Sequence, residues 1–410
     1  MILKRDHFIL FGIMFYIFAA STFFDGSTAI QISRLVLVGI FAVVVIIDKS
    51  LKLNTYSIWL ILFAAYSLFS CVYASNTTIA ISGATTTIIN AVTILSFVGL
   101  CFEVRDHNIK LILMKCLAIF PLILGIYIFG KHGIFCFVNT RYLVDEHYFN
   151  SNVLGLHSAI GFILAFWLLT QKKCEKNHRF FYIIVAVLNI SFVALTASRK
   201  AIIIVALSFM LYYLFQSKSP VKFIGKVILI VAGVVLLWLA LTKIPFLYDL
   251  GGNRLEQMIN GFMSEDQADG STSFRMSLIE WGFDWFKQKP FFGYGADNFR
   301  VLVGRMNTWA GVGGTYAHNN FIELLVDLGL AGFVIYYSMY VNILHKFIKS
   351  FRYRNMQKLV MGCVFISIFI SEYGIVSYND KYCQILYAII WFIMISPDKE
   401  VNRIVQRADG

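Results

Sequence analysis

The stretch TYAHNNFIELLVDLGLAGFVIYY (315–337) is apolar enough to cross a bilayer, yet it opens with His318, Asn319 and Asn320 and carries Glu323 and Asp327. An ionisable side chain at a bilayer centre costs about 2.5–3.5 kcal/mol on insertion scales. Two carboxylates in one span therefore need a placement away from lipid. Asn319, Glu323 and Asp327 are spaced by four and share one helical face, which is expected to point into a bundle or a wet cavity. Either asparagine can cap the helix that begins here. A capping box with polar contacts between helices also accounts for the asparagines and Glu323. It leaves His318 without a role.

The remaining sequence defines the setting. Of 410 residues, 59% are hydrophobic and 14% charged, with a mean hydropathy of +0.72, where a soluble domain has about 25% charged residues. Runs such as AIIIVALSFMLYYLF (201–215) and VILIVAGVVLLWLALT (227–242) exclude a membrane barrel, whose strands alternate over about 10 residues. The fold class is an all-α polytopic membrane protein. Twelve spans are expected, near 8–24, 33–48, 57–75, 78–102, 109–129, 152–171, 179–197, 200–216, 221–243, 321–344, 357–375 and 381–396. The first resembles a signal peptide, but no small-residue cleavage site precedes Asp25, so it is expected to be retained.

Charge sets an expected orientation. Lys and Arg concentrate in QKKCEKNHR (171–179) and HKFIKSFRYRNMQK (345–358), whereas the short connections on the other side hold Arg34, Lys131, Arg141, Arg199, Lys200 and Lys381. The positive-inside rule then puts both termini in the cytoplasm. The net charge of +12 would mostly face the anionic inner leaflet rather than nucleic acid. The 7 cysteines are scattered without a C-x-x-C pair and read as buried, reduced and structural.

The chain reads as one integral membrane domain, 1–410, with a large extracytoplasmic loop at 244–316. A loop of that length usually has structure and a function. SFRMSLIEWGFDWFKQKP (273–290) spaces Phe274, Leu278, Trp281 and Trp285 as a helix, with Pro290 as its stop. Such a helix equally suits lying on the bilayer surface. FFGYGADNFR (291–300) follows, with Gly293 and Gly295 at a tight turn but no P-loop spacing.

Other polar features are expected on the same face. ALTASRKAIII (194–204) carries Arg199 at a helix start beside Ser198, suited to a phosphate at that N-terminus. Lys200 reads as ordinary snorkelling at an interface. GKHGIFCFVNTRYLVDEHYFNSNVLGLHSA (130–159) offers Arg141, His132, His147, Asn150 and Asn152 as polar contacts or as a solvated loop. Arg254 and Arg300 add basic groups in the large loop. Arginine suits bidentate phosphate recognition, and a histidine near its reference pKa of about 6.5 accepts a proton at neutral pH. A lipid-linked phosphate substrate fits this set.

These blocks resemble the O-antigen ligase and polysaccharide polymerase family. AHNNFIELLVDLGLAG is similar to its H-N-x-x-L-x-x-L-x-E-x-G-x-x-G signature, with His318, Asn319, Gly329 and Gly332 matching, Ile322 in place of Leu and Asp327 in place of Glu. TASRKAIIIVAL resembles the S-R-x-A segment containing Arg199. The 273–299 stretch is similar to the family's R-x-x-x-W element followed by P-x-x-G-x-G-x-x-x-F, matching Arg275, Pro290, Gly293, Gly295 and Phe299. FNSNVLGLHSAIGF resembles an N-x-x-G stretch. The resemblance covers roughly 150–320.

The resemblance implies a membrane-embedded, inverting glycosyltransferase without a required metal or other cofactor. Its donor would be an undecaprenyl-pyrophosphate-linked glycan at the outer face of the bacterial cytoplasmic membrane. Arg199 and Arg275 would bind the pyrophosphate, and His318 would act as base or orient the acceptor. Arg141, Asn319, Glu323, Arg254 and Arg300 are further substrate-binding candidates. Partners of the family kind include a glycan acceptor, a chain-length regulator and a flippase. A repeat-unit polymerase is the favoured activity, because an aromatic-rich outer loop can stack on sugars. A ligase acting on lipid A core or another carrier is the runner-up. A lipid-linked oligosaccharide transporter would be expected to show internal repeats and broken helices near mid-bilayer. The sequence has no visible repeat and only 5 prolines.

Overall fold

A computed structural model describes residues 2–23, 26–49, 51, 53–106, 108–133, 151–171, 176–196, 198–217, 219–243, 270–306, 314–351 and 355–396. Among the described residues the chain is helical, with no strand. In chain order the helices are α1 (Ile2–Thr22), α2 (Thr28–Asp48), α3 (Thr55–Phe69), α4 (Thr77–Glu103), α5 (Ile109–His132), α6 (Ser151–Leu169) and α7 (Lys176–Leu195). They continue as α8 (Arg199–Phe215), α9 (Pro220–Lys243), α10 (Gly270–Gln288), α11 (Phe299–Met306), α12 (Asn320–Ser350), α13 (Met356–Ser371) and α14 (Lys381–Ile395). Each of the stretches expected to span overlaps one of these helices. By length and composition 7 are able to cross a membrane: α2, α3 with the short turn Ser70–Val72, α4, α5, α6, α7 and α12. Helices α13 and α14 are apolar but shorter. The chain is therefore a polytopic helical membrane protein.

Local sequence sets where helices begin. Ser27, Asn54, Asn76, Asn355 and Asp380 each accept a backbone N–H of the following first turn through the side chain, satisfying donors that a helix start otherwise leaves orphaned. The packed interior is apolar, with Ile13, Tyr16, Phe97, Leu113, Ile160 and Ile389 fully enclosed. Five cysteines are described and free, four of them buried and Cys71 partly so. Cys136 and Cys174 lie outside the described residues.

Polar contacts mark two opposite ends of the bundle. At one end, Arg5 bridges Asp48 at 2.6 Å and Glu103 at 3.0 Å, tying the start of α1 to the ends of α2 and α4. At the other, the segment before α4 meets the 289–298 loop, where Ser75 N donates to Tyr294 O at 2.9 Å and Asn76 N to Asn298 Oδ1 at 2.8 Å. The candidate site lies at this second end.

Residues 270–306 build a second, small apolar core together with Ala317 and the start of α12. Leu278 and Trp285 of α10 pack with Tyr294, Phe299, Ile322 and Val326, with Phe274 and Trp281 against them. The helical spacing seen in the sequence is thus used to bury α10 on α11 and the start of α12. The apolar face of α10 is therefore packed on protein.

Helix α12 is broken at Gly329, whose φ of 65° and ψ of −171° are not helical. The break frees backbone groups, and the 290–295 loop takes them up. Tyr294 N donates to Val326 O at 2.9 Å and Gly295 N to Asp327 O at 2.8 Å, while Leu330 N donates to Pro290 O at 2.8 Å and Ala331 N to Phe291 O at 3.2 Å. Tyr66 Oη donates to the Leu328 carbonyl at 2.9 Å. A side chain at Gly329 would put its Cβ 2.4 Å from Phe291 O, besides requiring a positive φ, so glycine alone fits. The break separates the carboxylate-bearing piece, 320–328, from 330–350, which at 1.5 Å per residue rises about 30 Å and can cross a hydrocarbon core by itself. Glu323 and Asp327 thus belong to the loop's packing rather than to a span's middle.

Candidate functional site

His318 stands between two fixed points. On one side the Ala317 backbone N–H donates to Glu323 Oε2. On the other, Asn319 is the N-cap of α12, its Oδ1 accepting Phe321 N at 3.0 Å and Ile322 N at 3.1 Å. Between them His318 adopts a left-handed φ of 52°, a conformation that costs of order 1–3 kcal/mol and persists only when its surroundings impose it. Its ring lies 4.1 Å from that of Tyr316. Asn319 caps α12 as expected, whereas Glu323 takes the Ala317 N–H rather than that of the cap residue, so the reciprocal capping box does not form and the two side chains hold His318 at the helix entrance from either side.

Asn320 ties this entrance to the turn after α13. Its backbone N–H donates to Glu372 O at 2.9 Å and Ile375 O at 3.1 Å. Its side-chain Oδ1 accepts Ser377 N at 2.9 Å and Tyr378 N at 3.1 Å. Beneath it the fully buried Glu372 carboxylate accepts Tyr337 Oη at 2.9 Å, Tyr340 and Tyr387 Oη each at 2.7 Å, Asn320 Nδ2 at 3.3 Å and the Ser377 hydroxyl. A buried carboxylate is tolerated when its lone pairs are filled in this way. Sequence reasoning passed over Glu372, although a lone acid in the apolar run ISIFISEYGIV was a signal of a buried polar partner set.

Lys200 was expected to snorkel, and the structure instead turns its ammonium onto the Gly374 carbonyl of that same turn. Arg275, half-buried on the first turns of α10, completes the group. Its charge acts on Lys200 and on His318, and that of Lys200 acts on His318. His318 is pushed down to about 4, first by burial and then by Arg275 and Lys200. This departs from the ordinary value near 6.5 read from the sequence, and leaves the imidazole neutral at pH 7. Among the described residues, no carboxylate lies within ion-pair distance of Arg275 or Lys200.

The other candidates have settings of their own. Arg199 is exposed at the first position of α8. Its neighbour Ser198 sends its hydroxyl to Asn152 Oδ1 at 3.2 Å rather than capping the helix. Arg300 is held by Asp297, with Nε to Oδ1 at 2.8 Å. Glu323 is buried with Oε2 on Ala317 N. Asp327 accepts Phe299 N at 2.6 Å and Asp297 N at 2.9 Å, which caps α11. Arg141 and Arg254 lie outside the described residues, as do His147, Asn150 and the side chain of His132. Among the described residues no group of three or more His, Cys, Asp or Glu is gathered to hold a metal.

Chemically, the site joins a neutral imidazole to two cationic side chains at one end of a helical membrane bundle. Such a group has the chemistry to hold an anion and to accept a proton. The family model described as O-antigen ligase matches residues 184–337. The match takes in Arg199, Lys200, Arg275, the glycine loop and His318, and so supports the resemblance over 184–337, while the N-x-x-G stretch FNSNVLGLHSAIGF lies outside it. No curated protein matches the chain.

Proposed function

We propose that the protein is a polysaccharide repeat-unit polymerase. It transfers a glycan from an undecaprenyl-pyrophosphate carrier to a sugar hydroxyl at the outer face of the bacterial cytoplasmic membrane. The single observation that carries this reading is that the segment matched by the O-antigen ligase family fixes His318 at the entrance of α12, between the Ala317–Glu323 bond and the Asn319 cap, where the charges of Arg275 and Lys200 reach it. The expected twelve spans, the extracytoplasmic loop 244–316 and cytoplasmic termini belong to the same proposal.

The chemistry follows from charge. The acceptor hydroxyl oxygen attacks the anomeric carbon from the face opposite the leaving group, the bond to the lipid diphosphate breaks with its electron pair, and His318 takes the hydroxyl proton. Charge grows on the departing diphosphate, so Arg275 and Arg199 stabilise the transition state more than the bound substrate. Positioned proton transfer contributes about 10²- to 10⁴-fold. His318→Ala is therefore expected to abolish detectable product while the protein remains abundant in the membrane.

Support for a polymerase comes from aromatic surface. A shallow cavity of about 410 Å³ is lined by Phe69, Tyr73, Lys289, Phe291 and Phe292, and aromatic faces of this kind stack on sugar rings. The ligase reading is favoured by the description of the matching family. Glycan profiles of a deletion strain, complemented with wild type or His318→Ala and probed for free and carrier-attached polymer, decide between them. Accumulation of single lipid-linked repeat units in the null strain marks a polymerase, and long unattached lipid-linked polymer marks a ligase. Full-length product from His318→Ala at normal abundance would sink the assignment of the base.

A further inference from the structure

Lys200 lies outside the roles given so far. It sits in the first turn of α8, which receives no side-chain cap from Ser198, so N–H groups at that helix start have no hydroxyl acceptor from their own cap. The side chain is half-buried and reaches across to the carbonyl of Gly374, which is 174 residues away in sequence. A single carbonyl satisfies one of the three ammonium protons. The stem is closely seated, since a Cβ added to Gly374 would lie 3.3 Å from Lys200 Cε.

The turn that receives Lys200 is itself fastened to the start of α12. Asn320 holds it through Glu372 O, Ile375 O, Ser377 N and Tyr378 N, and His318 is two residues before Asn320. Position of the ammonium and position of the imidazole are thus set by one network. Arg275 adds a second cation to this neighbourhood. Two like charges held together without a carboxylate among the described residues repel one another, and a polyanion placed between them removes that repulsion.

We propose that Lys200, held by the Gly374 carbonyl, is a further ligand of the donor's diphosphate and acts together with Arg275 on the anion beside His318. The inference rests on the reading of the donor as a lipid-linked diphosphate. Arginine supplies a planar fork, whereas the lysine supplies a compact point charge with two protons left for phosphate oxygens. The ammonium stays protonated throughout, and its work is to hold charge that grows as the glycosidic bond to phosphate breaks.

The test uses the purified full chain in detergent, titrated calorimetrically with inorganic pyrophosphate. Wild type is expected to bind. Lys200→Gln is expected to bind about tenfold or more weakly, as loss of one charge-assisted hydrogen bond implies. Lys200→Arg should recover most of the affinity, and all variants should unfold at the wild-type temperature when no pyrophosphate is present. A second measurement needs no substitution: acylation of the Lys200 amine in wild type, followed by mass spectrometry, should slow severalfold when pyrophosphate is added. Wild-type affinity in Lys200→Gln, or unchanged acylation in a protein that does bind pyrophosphate, overturns the inference alone. Absence of any pyrophosphate binding by wild type overturns the donor reading and this inference with it.

Discussion

His318 is held at φ 52° with its imidazole pushed down to about 4, and both facts bear on how the site would respond to pH. The shift comes first from burial and then from Arg275 and Lys200. Neutral imidazole is the form that accepts a proton, so kcat/KM should hold level from neutrality down and fall only as pH nears 4. Once a diphosphate sits between the cations, their share of the shift is offset, and the acid limb of kcat should move to higher pH than that of kcat/KM. Stability carries the same sign. Between about 4 and 6.5 the unfolded chain binds the His318 proton and the folded one does not, so this contribution is present above 6.5 and lost as pH falls toward 4. Paired pH profiles check the assignment, and an acid limb of kcat/KM at 6.5 or above contradicts it. At this scale the sequence was partly legible. His318, Arg275 and Arg199 stood out because each interrupts an apolar or aromatic run within a motif. Lys200 and Glu372 did not, because their meaning depends on Gly374 and on Tyr337, Tyr340 and Tyr387, contacts that only the fold creates.

Among the elements, the junction between the broken helix α12 and the 290–295 loop does most to position the site. Four backbone hydrogen bonds cross it, and the Asp327 carboxylate adds two more to Asp297 N and Phe299 N. Helical periodicity alone reads 320–350 as continuous and puts two carboxylates in a span. The glycine spacing held the contrary information, which becomes readable once Gly329 is seen against the Phe291 carbonyl. Gly329→Ala should therefore be costly in two ways. It demands an unfavourable φ, worth about 1–3 kcal/mol, and it drives Cβ into backbone that has no flexible end to move. A fall of several degrees in unfolding temperature, with loss of polymer in cells, is expected for Gly329→Ala. Gly39→Ala is the comparison: a Cβ there meets nothing within 4 Å, and alanine within a helix is favoured over glycine. Equal melting of the two variants, read by fluorescence-detected size exclusion, would remove the junction from the account.

Across the whole molecule, composition and hydropathy made the class legible, and each expected span overlaps a helix. Helix neighbours were not legible, because they depend on shape. Trp59 reaches the carbonyl of Ile335 at 2.8 Å across 276 residues of sequence, and Ser208 on α8 meets Ser367 on α13 at 2.8 Å, with no periodicity to announce either. The arrangement nonetheless has two ends, one marked by Arg5 with Asp48 and Glu103, the other by the loop and His318.

Basic residues cluster in the connections 171–179 and 345–358, and the proposed orientation accordingly has the Arg5 end facing the cytoplasm. A chain with all of its cysteines replaced, carrying one new cysteine at a time, tests that orientation in intact cells. Phe291 is 66% exposed, so Phe291→Cys should react with a membrane-impermeant maleimide without permeabilisation. Lys49→Cys, on the exposed residue that ends α2 beside the Arg5 bridge, should react only after the membrane is opened. The reverse pattern would put His318 in the cytoplasm. A glycan built on the outer leaflet would then be out of its reach, and the proposed reaction would fail on geometry before any kinetic measurement.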